Sequence, residues 1–190
     1  METSKPRFAL KKTAERAENF VGCIRRDILF FDEGRFGLIP VVGRYWCRKG
    51  VKGTVRMQTR YKFIYMYAAV SPLTGNSFIL YLPWVNTEIM NLYLQNLADA
   101  FQEKEVLLIM DQAGWHHSKK LQVPKGVQIE YLPPYSPELN PVEHLWQYMR
   151  SHACRNKLYD TMDDLMDAMT VVLNQISKDK FKNICHCSYL

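Results

Sequence analysis

Residues 106–111, with the sequence Val-Leu-Leu-Ile-Met-Asp, form an apolar run that ends in an acid and predicts a buried strand. A second run of this kind, Ile-Leu-Phe-Phe-Asp, occupies residues 28–32. A strand that ends in a carboxylate puts a costly charge at the rim of the core. A third acid, Glu143, lies in the first turn of a helix predicted further along the chain. Two strand-terminal acids and a helical third together suggest a site for divalent metal ions.

The apolar periodicity around these runs predicts an α/β domain in which helices cover a mixed sheet. Strands near residues 28, 61 and 77 follow one another closely, so we expect them to pair antiparallel. The strands at 105–110 and 127–132 can be parallel additions. The predicted strands cover 27–32, 61–70, 77–83, 105–110 and 127–132, with a further hairpin formed by 37–47 and 51–57. The predicted helices cover 6–22, 87–103, 116–122, 141–156 and 160–176.

The bulk composition fits one globular domain. The chain has 190 residues, of which 47% are hydrophobic, enough for a substantial core. Its five cysteines are odd in number and irregularly spaced, which is typical of reduced thiols rather than of a disulfide framework. No apolar stretch is long enough to span a bilayer, and the polar, basic residues 1–12 contain no apolar signal core. We therefore expect a cytoplasmic protein with no membrane partner.

One long segment carries charge of a single sign. Residues 34–87 contain no Asp or Glu, although the net charge of the whole chain is only +6. Such a segment attracts a phosphate backbone, and the aromatic residues between its charges suit contact with nucleic acid. A solvated basic hairpin without a ligand is the simpler interpretation. The candidate DNA-binding side chains of this segment are Arg35, Arg44, Arg48, Lys49, Lys52, Arg56, Arg60 and Lys62.

Three motifs contain the three acids. Residues 31–36 read Phe-Asp-Glu-Gly-Arg-Phe, and residues 110–116 read Met-Asp-Gln-Ala-Gly-Trp-His. Residues 132–146 read Leu-Pro-Pro-Tyr-Ser-Pro-Glu-Leu-Asn-Pro-Val-Glu-His-Leu-Trp, a long and highly specific pattern. In order and spacing the motifs resemble the catalytic domain of bacterial insertion-sequence transposases in the mariner-like branch of the D-D-E superfamily. The resemblance covers about residues 25–175.

This resemblance implies a ribonuclease H-like fold, an α/β fold with a mixed sheet of about five strands flanked by helices. It also implies that Asp32, Asp111 and Glu143 are catalytic and hold two Mg²⁺ ions, for which Mn²⁺ can substitute. Converging carboxylates repel one another unless cations neutralise them, and hard oxygen ligands select Mg²⁺ or Mn²⁺ over zinc. The implied activity is nucleotidyl transfer, in which water cleaves a DNA strand and the freed 3′-hydroxyl then joins it to another. The implied parts are a basic helix or linker at 1–25, the catalytic domain at 26–178 and a tail at 179–190.

Several of these residues have alternative interpretations. Glu33 could take the place of Asp32, and Glu138, in the Pro-rich loop, is another candidate ligand. Glu143 could be only a first-turn acid that complements a helix dipole. His116 matches a position at which the family often carries His. We expect it to contact DNA or the scissile phosphate, unless it is simply a surface histidine.

Only about 25 residues precede the first predicted strand, too few for the helix-turn-helix region with which full-length relatives recognise the ends of a mobile element. We therefore expect the chain to be the catalytic part of a transposase that acts at the nucleoid on element ends and target DNA. Its expected protein partners are a separate helix-turn-helix subunit and a second copy of itself. The alternatives are a catalytically silent DNA-binding remnant or accessory protein of a complete transposase, and a cellular nuclease that cleaves RNA hybrids or junctions.

Overall fold

The computed structural model describes residues 26–189 except 45, 52, 53 and 55, and one mixed sheet forms its centre. The strands lie in the order β3-β2-β1-β4-β5. Their bounds are β1 Arg26–Gly37, β2 Phe63–Val70, β3 Ser77–Leu82, β4 Glu105–Met110 and β5 Val127–Tyr131. The helices are α1 Thr87–Ala100, α2 Val142–Met149, α3 Met162–Asn174 and α4 Lys178–Ile184. A short 3₁₀ turn at Pro137–Leu139 precedes α2, and a π-helical turn at Arg150–Cys154 continues it.

The directions of the strands follow from the connections between them. β1, β2 and β3 pair antiparallel, and the tight turn at 71–76 joins β2 to β3. β4 pairs parallel with both β1 and β5, because α1 crosses over between β3 and β4 and brings the chain back to the same end of the sheet. The predicted mixed sheet, with an antiparallel half and a parallel half, is confirmed.

Alternate residues of the strands feed two apolar cores, one on each face of the sheet. On one face Leu29 and Phe31 pack with α1, whose helically spaced residues Met90, Tyr93, Leu94 and Leu97 are fully buried. On the other face Ile28 and Phe30 pack with α2, α3 and α4. The apolar faces of the helices thus pack against the sheet. No helix in the described part of the chain is long and apolar enough to cross a membrane.

The predicted hairpin at 37–47 and 51–57 is wrong. β1 continues to Gly37 and pairs with β2 as far as Gly37↔Phe63, so residues 38–62 form one long connection between adjacent strands. The described residues of this connection form no strand, and Val41 makes only an isolated bridge to Arg155. Its residues lack regular apolar alternation and most of those described are exposed, so a hairpin here would have no core to cover.

The helix predicted at 116–122 is also wrong. This segment consists of turns, with backbone hydrogen bonds from His116 to Ala113 and from Leu121 to Ser118. Pro124 lies two residues beyond this segment and leaves too few residues for a stable helix. The helix predicted at 6–22, and the N-terminal part at 1–25, lie outside the described residues.

The C-terminal residues belong to the domain rather than to a tail. Ser177 caps α4: its side chain accepts a hydrogen bond from the Lys180 backbone, and the helix buries Phe181. Cys185 is fully buried, and Tyr189 packs edge-on against Phe30 at 6.3 Å between ring centroids. The tail predicted at 179–190 is therefore wrong for the described residues up to 189.

Candidate active site

A cleft opens where β1 leaves β4. The two strands pair in parallel register from Arg26↔Glu105 to Phe30↔Ile109. Beyond this point β4 ends, whereas β1 continues along β2 alone. Extending the register by two residues places Asp32 beside Asp111, and both side chains then point to the face that carries α2. The sequence puts these acids together because each follows a buried run of similar length.

Asn140 brings Glu143 to the same cleft. Its amide Nδ2 donates to the Phe31 carbonyl at 2.9 Å, which fastens the start of α2 to β1 next to Asp32. Its Oδ1 accepts from the backbone of Val142 at 3.2 Å, where the helix begins one residue later than expected. Glu143 consequently lies in the first turn of α2.

The three acids line one cavity of about 410 Å³. Its remaining wall comes from residues 112–113, Asn140 and the Pro-rich loop at 132–137. Glu138 is exposed and does not line this cavity, so the structure does not support it as an alternative ligand. The sequence motifs therefore converge in space on a single polar cleft.

Trp146 was not foreseen as part of this site. Its indole Nε1 donates to Asp32 Oδ2 at 2.7 Å, and its ring lies over Gly34, where a Cβ would approach the ring to 2.8 Å. The sequence does contain a signal for this contact. Gly34 lies on the same face of β1 as Asp32, and Trp146 lies one helical turn beyond Glu143.

The surroundings of Asp32 favour its neutral form. Burial is the largest cause and, together with the negative charges of Glu33 and Glu143, raises the pKa of Asp32 to about 7 against the opposing hydrogen bond from Trp146. At neutral pH the metal-free side chain is therefore close to half protonated.

Asp111 has the opposite character. Its side chain is 56% exposed, and Oδ1 accepts from His116 Nδ1 at 2.9 Å and from the Ala113 backbone at 3.2 Å. The hydrogen bond from His116 is the main cause that lowers the pKa of Asp111 below its usual range. Asp111 is thus an ionised, partly exposed carboxylate, whereas the neighbouring Asp32 is buried and its ionisation is disfavoured.

His116 is not at the surface. It is only 1% exposed, and its Nε2 lies 3.0 Å from Oε1 of Glu33 while Nδ1 contacts Asp111. Burial lowers the pKa of His116, but hydrogen bonds to Asp111 and Glu33 outweigh it and raise the pKa to about 9. Because His116 is buried with both ring nitrogens engaged inside the protein, the alternative of a surface histidine is wrong. Its contact with DNA or the scissile phosphate stays a prediction.

Glu33 does not replace Asp32. It points to the opposite face of β1, the face covered by α1, and its side chain is 6% exposed. Trp115 Nε1 donates to its Oε1 at 3.1 Å. The alternative in which Glu33 is the catalytic acid is therefore not supported.

The donor set of the cleft fits hard divalent cations such as Mg²⁺ and Mn²⁺. Among the described residues, the hydrogen bonds to the Asp111 carboxylate all go to Oδ1, which leaves Oδ2 for a cation. In the same residues, no three His, Cys, Asp or Glu side chains are gathered closely enough to hold one ion as they stand. A cation would relieve the repulsion around Asp32 and draw the carboxylates together.

The candidate DNA-binding side chains of the basic segment lie at the surface. Arg35 stacks over the Phe63 ring at 3.8 Å, and Arg60 donates to the backbone carbonyl of Asp160 at 2.5 Å. Lys52 lies outside the described residues. The exposed members are Arg35, Arg44, Arg48, Lys49, Arg56, Arg60 and Lys62. Their role in DNA binding stays a prediction.

Residues 27–166 match the family described as DDE superfamily endonuclease, and this match covers well over half of the chain. The chain belongs to the DDE superfamily endonucleases. A curated relative of this DDE chain, "Uncharacterized protein y4pE/y4sA" of Sinorhizobium fredii (strain NBRC 101917 / NGR234), is 37% identical over 119 residues. The aligned part is 62% of this chain and 88% of the relative.

Solved structures show which fold this DDE chain has. The pre-cleavage Mos1 transpososome superposes with a TM-score of 0.72 at 18% identity, covering 94% of this chain and 56% of that one. The catalytic domain of Mos1 mariner transposase superposes with a TM-score of 0.63 at 15% identity, covering 96% of this chain and 85% of that one. In the Mos1 strand transfer complex, this chain spans 55% of the Mos1 chain, with a TM-score of 0.68 and 18% identity. The predicted D-D-E family and ribonuclease H-like fold are confirmed, and family membership implies nucleotidyl-transfer chemistry.

Proposed function

We propose that this chain is the catalytic part of a DNA transposase that cleaves phosphodiester bonds and transfers DNA strands. The observation that supports this function is the convergence of Asp32, Asp111 and Glu143 on one cavity in a chain of the DDE family. The substrate is double-stranded DNA at the ends of a mobile element and at its target. We place recognition of the element ends in a helix-turn-helix region outside residues 26–189, on the same polypeptide or on a separate subunit.

The three carboxylates would hold Mg²⁺ or Mn²⁺, and bound ions supply Lewis-acid activation for phosphoryl transfer. The protein prepares the ligands. Trp146 orients Asp32 through its indole, His116 orients Asp111, and Asn140 fixes the helix turn that carries Glu143. A bound cation would lower the electrostatic cost of a charged Asp32, so on binding the carboxyl would release its proton to water.

A plasmid-nicking assay with Mg²⁺ or Mn²⁺ tests this function. We expect Asp111→Ala to lower the nicking rate by roughly a hundredfold or more, since metal activation contributes several kcal/mol to such reactions. Glu138→Ala is the matched control, because it removes an exposed acid near the cavity that does not line it. Equal nicking by wild type and Asp111→Ala would refute the proposal.

The basic segment gives a second test, through the salt dependence of DNA binding. We expect the double change Arg48→Ala and Lys49→Ala to reduce the slope of log K against log salt by roughly 2, because each lost phosphate contact removes about 0.9. The matched control removes two exposed lysines of α4, Lys178 and Lys180. An unchanged slope in the first variant would exclude these side chains from the DNA interface.

A catalytically silent DNA-binding protein is the second candidate. The observation that favours it is that the carboxylates of the metal-free cleft are not gathered around one point in the described residues. Calorimetric titration with Mn²⁺ separates the two functions. A catalytic chain binds Mn²⁺ and loses this binding in Asp111→Ala, whereas a silent one shows no difference between the two proteins.

A further inference from the structure

Glu33 is a buried carboxylate that none of the roles described so far uses. It lies on the face of β1 covered by α1, next to the buried ring of Phe31. A charge in such a place is costly unless it is paired and hydrogen-bonded. Within the described part of the chain, two donors reach Glu33, and both bind Oε1: Trp115 Nε1 at 3.1 Å and His116 Nε2 at 3.0 Å.

His116 connects this buried acid to the cleft. Its second ring nitrogen, Nδ1, lies 2.9 Å from Oδ1 of Asp111, so one imidazole bridges two carboxylates on opposite faces of the sheet. The ring is held in place from several sides. Phe31 packs edge-on against it at 5.8 Å, and Tyr131 donates its hydroxyl to the His116 carbonyl at 2.8 Å.

Asp111 needs such support more than Asp32 does. Its side chain is 56% exposed at the end of β4, where the strand stops and the chain enters a series of turns. Asp32, in contrast, lies within a long paired strand and under Trp146. An exposed carboxylate at a strand end samples several rotamers unless a neighbour fixes it.

We propose that Glu33 and His116 are positioning residues that orient Asp111 for the cation. Glu33 anchors the imidazole, the imidazole fixes Asp111 Oδ1, and Oδ2 is thereby presented to the ion. Carboxylates that ligate metals are commonly held by such outer partners, and loss of a partner weakens metal affinity by roughly 10- to 100-fold. This inference rests on the proposed function, since it concerns the same cation site.

The test measures Mn²⁺ affinity by calorimetry in a short series at position 33. We expect Glu33→Leu, which removes the acceptor, to weaken Mn²⁺ binding by roughly 10-fold or more. Glu33→Gln keeps an oxygen acceptor for His116, so it should recover most of the affinity. Asp27→Asn is the matched control. Asp27 is also a buried carboxylate, 2% exposed and bonded to Thr74, but it lies at the far end of β1, and its change should leave Mn²⁺ affinity unaltered.

A double-mutant cycle with His116→Leu distinguishes a chain of contacts from two independent effects. If Glu33 acts through His116, Glu33→Leu causes no further loss of affinity in the His116→Leu background. Additive losses would overturn the connection. Equal Mn²⁺ binding by wild type and a folded Glu33→Leu would overturn the proposal while leaving the proposed function intact. No Mn²⁺ binding by the wild type would overturn both.

A measurement on the wild type covers the case in which Glu33→Leu does not fold. In ¹H–¹⁵N spectra, we expect the indole N–H of Trp115, which is bonded to Glu33, to shift as Mg²⁺ saturates the cleft. Trp84 is the internal reference, because it is 63% exposed and, among the described residues, the recorded partners of Glu33 are Trp115 and His116 rather than the Trp84 indole. A purely structural Glu33 would leave the Trp115 signal unmoved, and that result would overturn the proposal.

Discussion

Metal-free protein should lose stability as the pH rises through the weakly acidic range, and Asp32 should be the cause. The folded-state pKa of Asp32 is about 7, compared with 3.8 for an ordinary aspartate. The folded state therefore binds this proton more tightly than the unfolded state does. The cost of the buried charge is absent below pH 3.8, grows as the pH rises, and is complete above about 7.

The size of the effect follows from the two pKa values. A shift of roughly three units corresponds to a total of up to about 4 kcal/mol, of which about 2.5 kcal/mol falls between pH 4.5 and 6.5. This window avoids His116, whose raised pKa makes its own stabilising contribution disappear only as the pH rises toward about 9. It also lies above the lowered pKa of Asp111.

Urea denaturation in EDTA at pH 4.5 and 6.5 measures the effect, with Asp32→Asn as the reference. We expect the free energy of unfolding of wild type relative to Asp32→Asn to fall by about 2.5 kcal/mol between the two pH values. Excess Mg²⁺ at pH 8 should raise the free energy of unfolding of the wild type but not that of Asp32→Asn. If both proteins respond to pH in parallel, Asp32 does not lie in the buried, acid-flanked environment described above.

Three substitutions probe other contacts of the cleft. Trp146→Phe removes the indole donor to Asp32, a hydrogen bond of about 1.5–3 kcal/mol, and should move the acid limb of the pH–nicking profile upward by about one unit. An unmoved limb would contradict this role. Tyr135→Gly should raise thermal stability by about 1 kcal/mol, because Tyr135 has a φ of +56°, yet weaken DNA binding by removing a fully exposed ring from the rim of the cavity. Lower stability or unchanged DNA affinity would count against it. Gly34→Ala should cost about 1–3 kcal/mol in urea denaturation and reduce nicking, because its Cβ would collide with the Trp146 ring. A folded variant with wild-type activity would show that the ring can move without consequence.

The sheet could be predicted because the sequence patterns that indicate its strands and turns lie within short segments of the chain. Buried apolar runs such as 28–32 and 105–110 predict strands without any information from elsewhere in the chain. The short turn at 71–76 indicates an antiparallel pair, whereas the helical crossover at 87–100 indicates a parallel one. The hairpin within 38–62 failed for the opposite reason. Turn residues and scattered apolar residues were present, but whether a strand has a surface to cover depends on contacts far away in the chain.

The sequence predicted the three acids that line the cleft, but not the residues that hydrogen-bond to them. Burial of His116 could not be inferred from its polar, turn-rich neighbourhood, since the apolar ring that packs against it, Phe31, is distant in sequence. α4 could have been found. Ser177 is a good N-cap, and Phe181, Ile184 and Cys185 follow at helical spacing.

The order in which the chain is synthesised gives the sheet topology a biological consequence. A ribosome that has released the protein through β5 has produced Asp32 and Asp111, but the helix turn with Glu143 and the indole over Asp32 are still to come. Phe181 and Cys185, which close the core behind α2, are made later still. A chain that stops before α2 would therefore lack Glu143 and could not complete the three-acid cleft, so this cleft can form only late in synthesis.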